Sequence, residues 1–290
     1  MNKLVAFVLI FGFQLGNAQE IKEKALLWEI SGNNLEKASY LFGTIHLACE
    51  GDVELRPEIQ AAFDASENLI LEMAMDDPAL MTKMMQASIS TDGKTISEKL
   101  GKDLAVKVDL LLLEKMGTGL NSFDQLNLPT FSAQMSLLSL DCPMALGYDM
   151  ALTLEAEQIK KEITGLESIE KQIEILFAQS DEEAIQTIQY IVDNLDEFIL
   201  ETQQLMELYK QQNIQEMYNF TKRAFDDPKY PSGNIEKFLD ERNQNWIPII
   251  EKNIQSKPSF IAVGAAHLAG EQGVIQLLRN QGFTVTALTN

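Results

Sequence analysis

The chain has 290 residues and a formal net charge of −20 at pH 7, from 23 Lys and Arg against 43 Asp and Glu. A hydrophobic content of 46% and a charged content of 23% are typical of a soluble globular protein, and the length is enough to bury a full core. Binding to nucleic acid or docking on an anionic membrane needs clustered Lys and Arg, so the composition argues against both.

The first 18 residues have the pattern of a secretory signal peptide. Lys3 supplies a positive charge, residues 4–13 are apolar, and residues 16–18 form a small-residue cleavage site. The apolar stretch is too short for a membrane-spanning helix, and no later stretch is suited to one. We therefore predict an exported, soluble protein, periplasmic or extracellular, that is not inserted in a membrane after cleavage.

The next elements predict the start of an α/β fold. Residues 25–48 are typical of a β-hairpin, with strands near 26–30 and 39–45 and a Gly-Asn-Asn turn. RPEIQAAFDAS predicts a helix with Pro57 in its first turn, and NLILEMAM predicts a third strand. Because a strand, a helix and a strand with short connections form a βαβ unit, the second and third strands should be parallel.

The middle of the chain, about 76–254, has mostly helical spacing. Within it, LLLL at 110–113 predicts a buried helix face, and EITGLES at 162–168 is a candidate for a further core strand. Ser168 is predicted to cap the helix that follows. The segment 225–234 contains two prolines and a glycine and predicts a surface loop.

The C-terminal segment PSFIAVGAAHLAGEQG predicts a strand that ends at Gly264 and a loop that carries His267. A helix and a last strand, FTVTAL, follow, with Gly282 placed to end the helix. The fold class is therefore α/β. We predict a central, mostly parallel β-sheet built from both chain ends, with a large helical insertion at about 76–254, in a single domain over 19–290.

The two cysteines, Cys49 and Cys142, lie in a chain predicted to enter an oxidising compartment. One disulfide between them would tie the loop after His46 to the middle of the chain. Two free thiols, or Cys49 as a metal ligand, are the alternatives that the sequence leaves open.

The two histidines of the chain, His46 and His267, have the same local setting, three residues after a glycine at the end of an apolar strand. In open parallel sheets, ligands bind beyond the carboxyl ends of the strands, where such side chains meet. Glu72 ends the strand NLILEMAM and is the best candidate for a third ligand. Two His and one Glu with an open position are used in catalytic metal sites, where the ion activates water. The structural alternative is two hydrogen-bonded histidines and a solvated glutamate.

Other polar residues give weaker signals. Glu167 precedes a predicted helix and is equally explained as a charge at a helix N-terminus. Asp149 in GYDMAL is interpreted as an N-cap, and Arg242-Asn243 as part of a charged helix face. The methionines at 73, 75, 81, 84 and 85 indicate adaptable packing beside a cleft more than soft-metal binding.

The ordered set of motifs resembles the TraB/GumN family, which includes the Tiki-type Wnt-inactivating metalloproteases, and matches its bacterial GumN-like branch better than its animal branch. The resemblance spans roughly residues 25–288. It rests on LLWEISGNNLEKASYLFGTIH at 26–46, LILEM at 69–73, GYD at 147–149, TGLES at 164–168 followed by EKQIEIL, Glu-Arg-Asn at 241–243, and VGAAHLAGEQGVIQLLRNQGFTV at 263–285.

The resemblance implies a fold akin to the erythromycin-esterase and ChaN-like group, with His46, Glu72 and His267 in the active site. Glu167 and Arg242-Asn243 match further family positions and are expected to line the same cleft. The implied activity is metal-dependent proteolysis, with Mn²⁺ or Co²⁺ favoured and Zn²⁺ as the alternative.

We therefore predict an exported metal-dependent hydrolase, most simply a peptidase acting on a peptide or protein substrate. In this hypothesis Glu167 is the general base and Arg242 orients the substrate. A non-catalytic protein that binds haem or another small ligand, and a scaffold for surface polysaccharide export, are the alternatives.

Overall fold

The computed structural model describes residues 20–46, 48–140, 142, 145–229 and 233–289. The predicted signal peptide at 1–18 lies outside these residues, as do positions 230–232 of the predicted loop. The described strands are β1 Leu27–Gly32, β2 Ser39–Thr44, β3 Ala48–Cys49, β4 Asn68–Leu71, β5 Ala145–Leu146, β6 Glu162–Gly165, β7 Ser259–Gly264 and β8 Phe283–Ala287.

The helices lie mainly between β4 and β7. They are α1 Pro57–Asp64, α2 Leu80–Ser88, α3 Ile96–Leu100, α4 Lys102–Met116, α5 Leu128–Met135, α6 Tyr148–Gln158, α7 Ile169–Leu176, α8 Asp181–Asp193, α9 Leu195–Lys210, α10 Ile214–Asp226, α11 Glu241–Ser256 and α12 Val274–Asn280. A π-helical turn at Glu236–Asp240 leads into α11, and a 3₁₀ turn at Ala265–His267 follows β7. None of the described helices has the length and apolar character needed to cross a membrane.

A six-stranded sheet in the order β6-β4-β7-β2-β1-β8 confirms the predicted α/β class. The pairs β6–β4, β4–β7 and β7–β2 are parallel, and β1 is antiparallel to both β2 and β8. Five of the six strands therefore run in one direction, and β1 alone runs in the other. The carboxyl ends of the neighbouring strands β6, β4, β7 and β2 lie side by side at one edge. The sheet takes β1, β2 and β4 from the first part of the chain and β7 and β8 from its end.

The local predictions near the chain start are confirmed. β1 and β2 form the antiparallel hairpin, and Gly32, Asn33 and Asn34 have φ angles of 76°, 46° and 63° in its turn. The connection from β2 through α1 to β4 gives parallel strands, as predicted, but β7 lies between them. A strand from near the end of the chain, β7, thus enters the middle of the unit formed by its first strands.

The described part of the segment 76–254 is mostly helical, with β5 and β6 as its strands, and β6 is the predicted extra core strand. Buried residues of α3, α4, α5 and α8 form an apolar cluster separate from the one that packs on the sheet. The prediction that LLLL is a buried face is wrong for two of its residues. Leu112 is buried, but Leu110 and Leu113 are 62% and 49% exposed, because only one face of α4 meets the cluster.

The Cys49–Cys142 disulfide is formed, with the two Cα atoms 5.8 Å apart. It lies beside a small antiparallel ladder in which Ala48 pairs with Leu146 and Cys49 with Ala145. The bridge and the ladder together hold the segment after β2 against the start of α6. The disulfide is therefore the alternative that holds, and two free thiols or Cys49 as a metal ligand are not.

Candidate active site

Each of the four neighbouring parallel strands, β6, β4, β7 and β2, is followed by a polar residue singled out in the sequence. Glu167 follows β6, Glu72 follows β4, His267 follows β7 and His46 follows β2. Because these strands are neighbours, their carboxyl ends bring the four side chains to one edge of the sheet. Arg242 and Asn243, in the first turn of α11, complete the group.

Glu72 is the centre of this group, with a side chain only 8% exposed. Its Oε1 accepts a hydrogen bond from the backbone N–H of Gly264 at 2.9 Å. The Nε2 atoms of His46 and His267 lie 3.5 and 3.8 Å from the same oxygen. Burial raises the pKa of Glu72, but His267, His46 and Arg242 outweigh it and hold this pKa well below its usual range, so the carboxylate is charged.

His46 is held by Asp149. Its Nδ1 donates to Asp149 Oδ2 at 2.7 Å, and Asp149 Oδ1 accepts from the Thr44 hydroxyl at 3.3 Å. Burial lowers the pKa of His46, but Asp149 and Glu72 outweigh it and raise the pKa well above its usual value. The ring is 57% exposed, so it forms the solvent-facing side of the site. The interpretation of Asp149 as a cap is wrong, since Gly147 is the N-cap of α6 and Asp149 orients a histidine.

His267 is held by Asn243 in a buried position. Its Nδ1 donates to Asn243 Oδ1 at 2.6 Å, while Asn243 Nδ2 donates to the backbone carbonyl oxygens of His267 and Gln272. Burial, with Arg242 and His46, lowers the pKa of His267 to about 3 against the opposing effect of Glu72. The ring is therefore neutral, and with its proton on Nδ1 it directs the Nε2 lone pair into the site.

Arg242 joins the two glutamates. Its Nη2 donates to Glu72 Oε2 at 2.5 Å and to Glu167 Oε1 at 2.6 Å, and its Nε donates to Glu167 as well. Its side chain is 4% exposed and lies over the ring of Trp246 at 4.8 Å. Arg242 and Asn243 are both buried, so the interpretation as a charged helix face is wrong; the first turn of α11 faces the edge of the sheet.

Two residues of this network, Gln172 and Trp246, were not among the predicted site residues. Gln172 on α7 donates from Nε2 to Glu72 Oε2 at 3.1 Å and to Glu167 Oε1 at 2.7 Å. Trp246 donates from its indole N–H to Glu167 Oε2 at 3.3 Å. Gln172 occurs in the family-like stretch EKQIEIL, directly after TGLES, and this position was the signal that could have indicated it.

The glycines of the two Gly-x-x-His motifs are explained by close approach. A Cβ on Gly264 would lie 3.0 Å from His46 Nε2 and 3.4 Å from Glu72 Oε1. A Cβ on Gly43 would lie 3.1 Å from side-chain atoms of both Ala265 and Leu268 in the other motif. Each glycine therefore leaves space for the partner motif, and the two motifs interlock at the edge of the sheet.

The donor types of His46, Glu72 and His267, two imidazole nitrogens and a carboxylate, suit a divalent metal ion. Each ring is oriented through its other nitrogen, as is usual for metal-bound histidine. Two ligands of a tetrahedral ion lie about 3.4 Å apart, close to the His46–Glu72 spacing of 3.5 Å. The three side chains together do not have the spacing of ligands around one ion: within the described ranges, no group of three or more His, Cys, Asp or Glu side chains could hold a metal ion. Arg242 occupies part of the space, with Nη1 at 3.2 Å from His267 Nε2.

The fold and this site define an α/β protein with a polar, partly charged group of side chains at the carboxyl ends of its parallel strands. The TraB/PrgY/gumN family model matches residues 26–287, and the chain belongs to that family.

The chain is also similar to a protein named Metalloprotease TIKI2 from Danio rerio, with 22% identity over 341 residues. The alignment covers 94% of this chain and 65% of that protein, so the chain spans less than two thirds of its relative's length. No solved structure matches the chain significantly, and the kinship to the erythromycin-esterase and ChaN-like group stays a prediction.

Proposed function

We propose that this protein is an exported, metal-dependent hydrolase that cleaves peptide bonds, with His46, Glu72 and His267 as the metal ligands. The observation that carries the proposal is the convergence of both Nε2 atoms on Glu72 Oε1, at 3.5 and 3.8 Å. The printed name of the Danio rerio relative supports a metalloprotease, and family membership supports a shared site. Mn²⁺, Co²⁺ or Zn²⁺ is the proposed ion, because imidazole and carboxylate ligands suit all three.

A bound divalent ion supplies Lewis acidity for a substrate carbonyl and lowers the pKa of a bound water to about 7. The protein's own part is to keep the ligands oriented. Asp149 holds the ring of His46, Asn243 holds the ring of His267, and the N–H of Gly264 fixes one oxygen of Glu72.

The exposure of the ligands indicates the direction of substrate approach. The His46 side chain is 57% exposed, whereas those of His267 and Glu72 are 4% and 8% exposed. A peptide would therefore reach the site from the side of His46, at the end of β2. The buried side, around Arg242, is lined by protein groups that exclude water from the other ligands.

The contacts of Glu167 favour an anchoring role over the general-base role. Its Oε1 accepts from Arg242 and from Gln172, and its Oε2 accepts from Arg242 and from Trp246. A general base needs an oxygen that can reach a water or a substrate proton. We therefore assign Glu167 the positioning of Arg242 and not proton transfer.

Metal binding is the first test. Calorimetric titration of chelator-treated protein with Mn²⁺, Co²⁺ and Zn²⁺ should show one saturable site in the wild type. The His46→Ala and His267→Ala variants should each lose most of this affinity, because each removes an imidazole nitrogen ligand. Identical, negligible binding by all three proteins would remove the metal site.

Peptide cleavage is the second test. A peptide library incubated with wild-type protein and each ion should show metal-dependent cleavage, which Glu72→Gln should abolish. Glu174→Gln is the matched control, since Glu174 is an exposed residue of α7 that pairs only with Lys171 among the contacts described. Cleavage that survives Glu72→Gln, or that fails equally in both variants, contradicts the assignment of Glu72.

A further inference from the structure

Arg242 makes more contacts inside the site than the orientation of a substrate would require. One Nη2 atom donates to both glutamates, and Nη1 lies 3.2 Å from His267 Nε2. The guanidinium thus hydrogen-bonds two of the three proposed metal ligands, Glu72 and His267. A metal ion and Arg242 cannot use the same lone pairs at the same time.

The attachment of Arg242 is uneven. Toward Glu167 it has three contacts, from Nε at 3.1 and 3.3 Å and from Nη2 at 2.6 Å. Toward Glu72 it has a single contact, from Nη2. Its Nη1 also donates to the backbone carbonyl of Phe238, one turn earlier in the chain, at 3.2 Å. The side chain would therefore stay anchored if the contact with Glu72 were broken.

Glu167 is also held by two residues other than Arg242. Gln172 Nε2 and the indole N–H of Trp246 donate to Glu167 independently of Arg242. Two buried carboxylates here have one guanidinium between them, and burying a carboxylate without a counter-charge is strongly unfavourable. In the absence of a metal ion, Arg242 thus provides the permanent positive charge that stabilises Glu72, beside the ring of His46 at 3.5 Å.

We propose that Arg242 is a built-in competitor for the metal: it neutralises Glu72 when no ion is bound, and it releases Glu72 and His267 but keeps Glu167 when one binds. This rests on the proposed metal site and adds a cost to metal binding, since only the fraction of molecules with Arg242 displaced can accept the ion. The displaced Arg242 side chain stays bound to Glu167, and Gln172 and Trp246 hold Glu167 in place.

Titration with Co²⁺ alone, followed by its visible absorption and by calorimetry, tests this on the chelator-treated full chain. Arg242→Lys is the decisive variant, because it keeps the positive charge but has a single ammonium in place of the planar fork. We expect it to bind Co²⁺ at least about fivefold more tightly than the wild type and to melt at a lower temperature without metal. Binding that is equal or weaker overturns the proposal.

Arg279→Lys is the matched control, since Arg279 donates to the carbonyl of Val285 on β8 and contacts none of the site residues described. Its Co²⁺ affinity should equal that of the wild type. If Arg242→Lys does not fold, Glu167→Gln decides: Arg242 then keeps Glu72 as its only carboxylate, and Co²⁺ binding should weaken at least about fivefold. Unchanged or tighter binding by Glu167→Gln overturns the proposal.

The outcomes separate this inference from the function on which it rests. Co²⁺ binding that is absent from the wild type, or unaffected by His267→Ala, removes both. Binding that depends on His267 but is not tightened by Arg242→Lys removes the competition alone and leaves the metal site.

Discussion

Replacement of both cysteines by serine should destabilise the protein and loosen one side of the site. The bridge joins Cys49 and Cys142, which are 93 residues apart in sequence. The chain-entropy relation for a loop of that length gives a stabilisation of about 4–5 kcal/mol. Since 1 kcal/mol shifts the melting temperature of a large domain by about 2–4 °C, we expect a decrease of roughly 10 °C or more.

The effect on the site follows from what the bridge holds together. It closes the β3–β5 ladder, which lies between His46 and the segment that carries Asp149. Loss of the bridge should therefore weaken metal binding together with stability, because His46 loses part of its orientation. Metal affinity measured at a temperature where both proteins are fully folded separates the two effects.

The assay is thermal unfolding followed by circular dichroism, with and without dithiothreitol. The reductant should lower the melting temperature of the wild type to that of the double variant and leave the double variant unchanged. A double variant that melts within about 2 °C of the oxidised wild type would refute the loop-entropy reasoning.

Three further predictions concern single contacts. Asp149→Asn should weaken metal binding about 10–100-fold in calorimetry with little change in melting temperature, because it removes the charge that orients His46; unchanged affinity contradicts this. Gly264→Ala should cost about 1–3 kcal/mol in chemical unfolding and impair metal binding, since the new methyl group would press on His46 Nε2 at 3.0 Å; a neutral effect on both would show that the backbone relaxes. Lys161→Met should cost about 1–3 kcal/mol, because Nζ donates to two backbone carbonyls at the end of α1, and should leave metal affinity unchanged; a loss of metal affinity would show that this end of the sheet is coupled to the site.

Much of the fold could be predicted because its signals are local. The turn at Gly32, Asn33 and Asn34, the helix start at Pro57 and the strand before Gly264 each follow from a few adjacent residues. Local order also predicted that His46, Glu72 and His267 lie at strand ends. That they lie at the same edge follows from the geometry of parallel strands. Their contact also requires β2, β7 and β4 to be neighbours, which only the tertiary structure shows.

The partners of these residues could not be predicted in the same way. Asp149 is 103 residues from His46, and Arg242 is 170 residues from Glu72, so no local pattern links them. Polar residues on a helix usually face water, and only the packing of α11 against the edge of the sheet shows that Arg242 is buried. The same holds for Leu110, whose exposure depends on which face of α4 meets the second apolar cluster.

The sequence by itself therefore determined which residues end the strands and could supply a metal's ligands. The tertiary structure decided which charges surround them: Asp149 behind one histidine, Asn243 behind the other, and Arg242 between the two glutamates. The physical reason is that backbone pattern depends on neighbours in the chain. The pKa, tautomer and pairing of a buried group depend instead on neighbours in space.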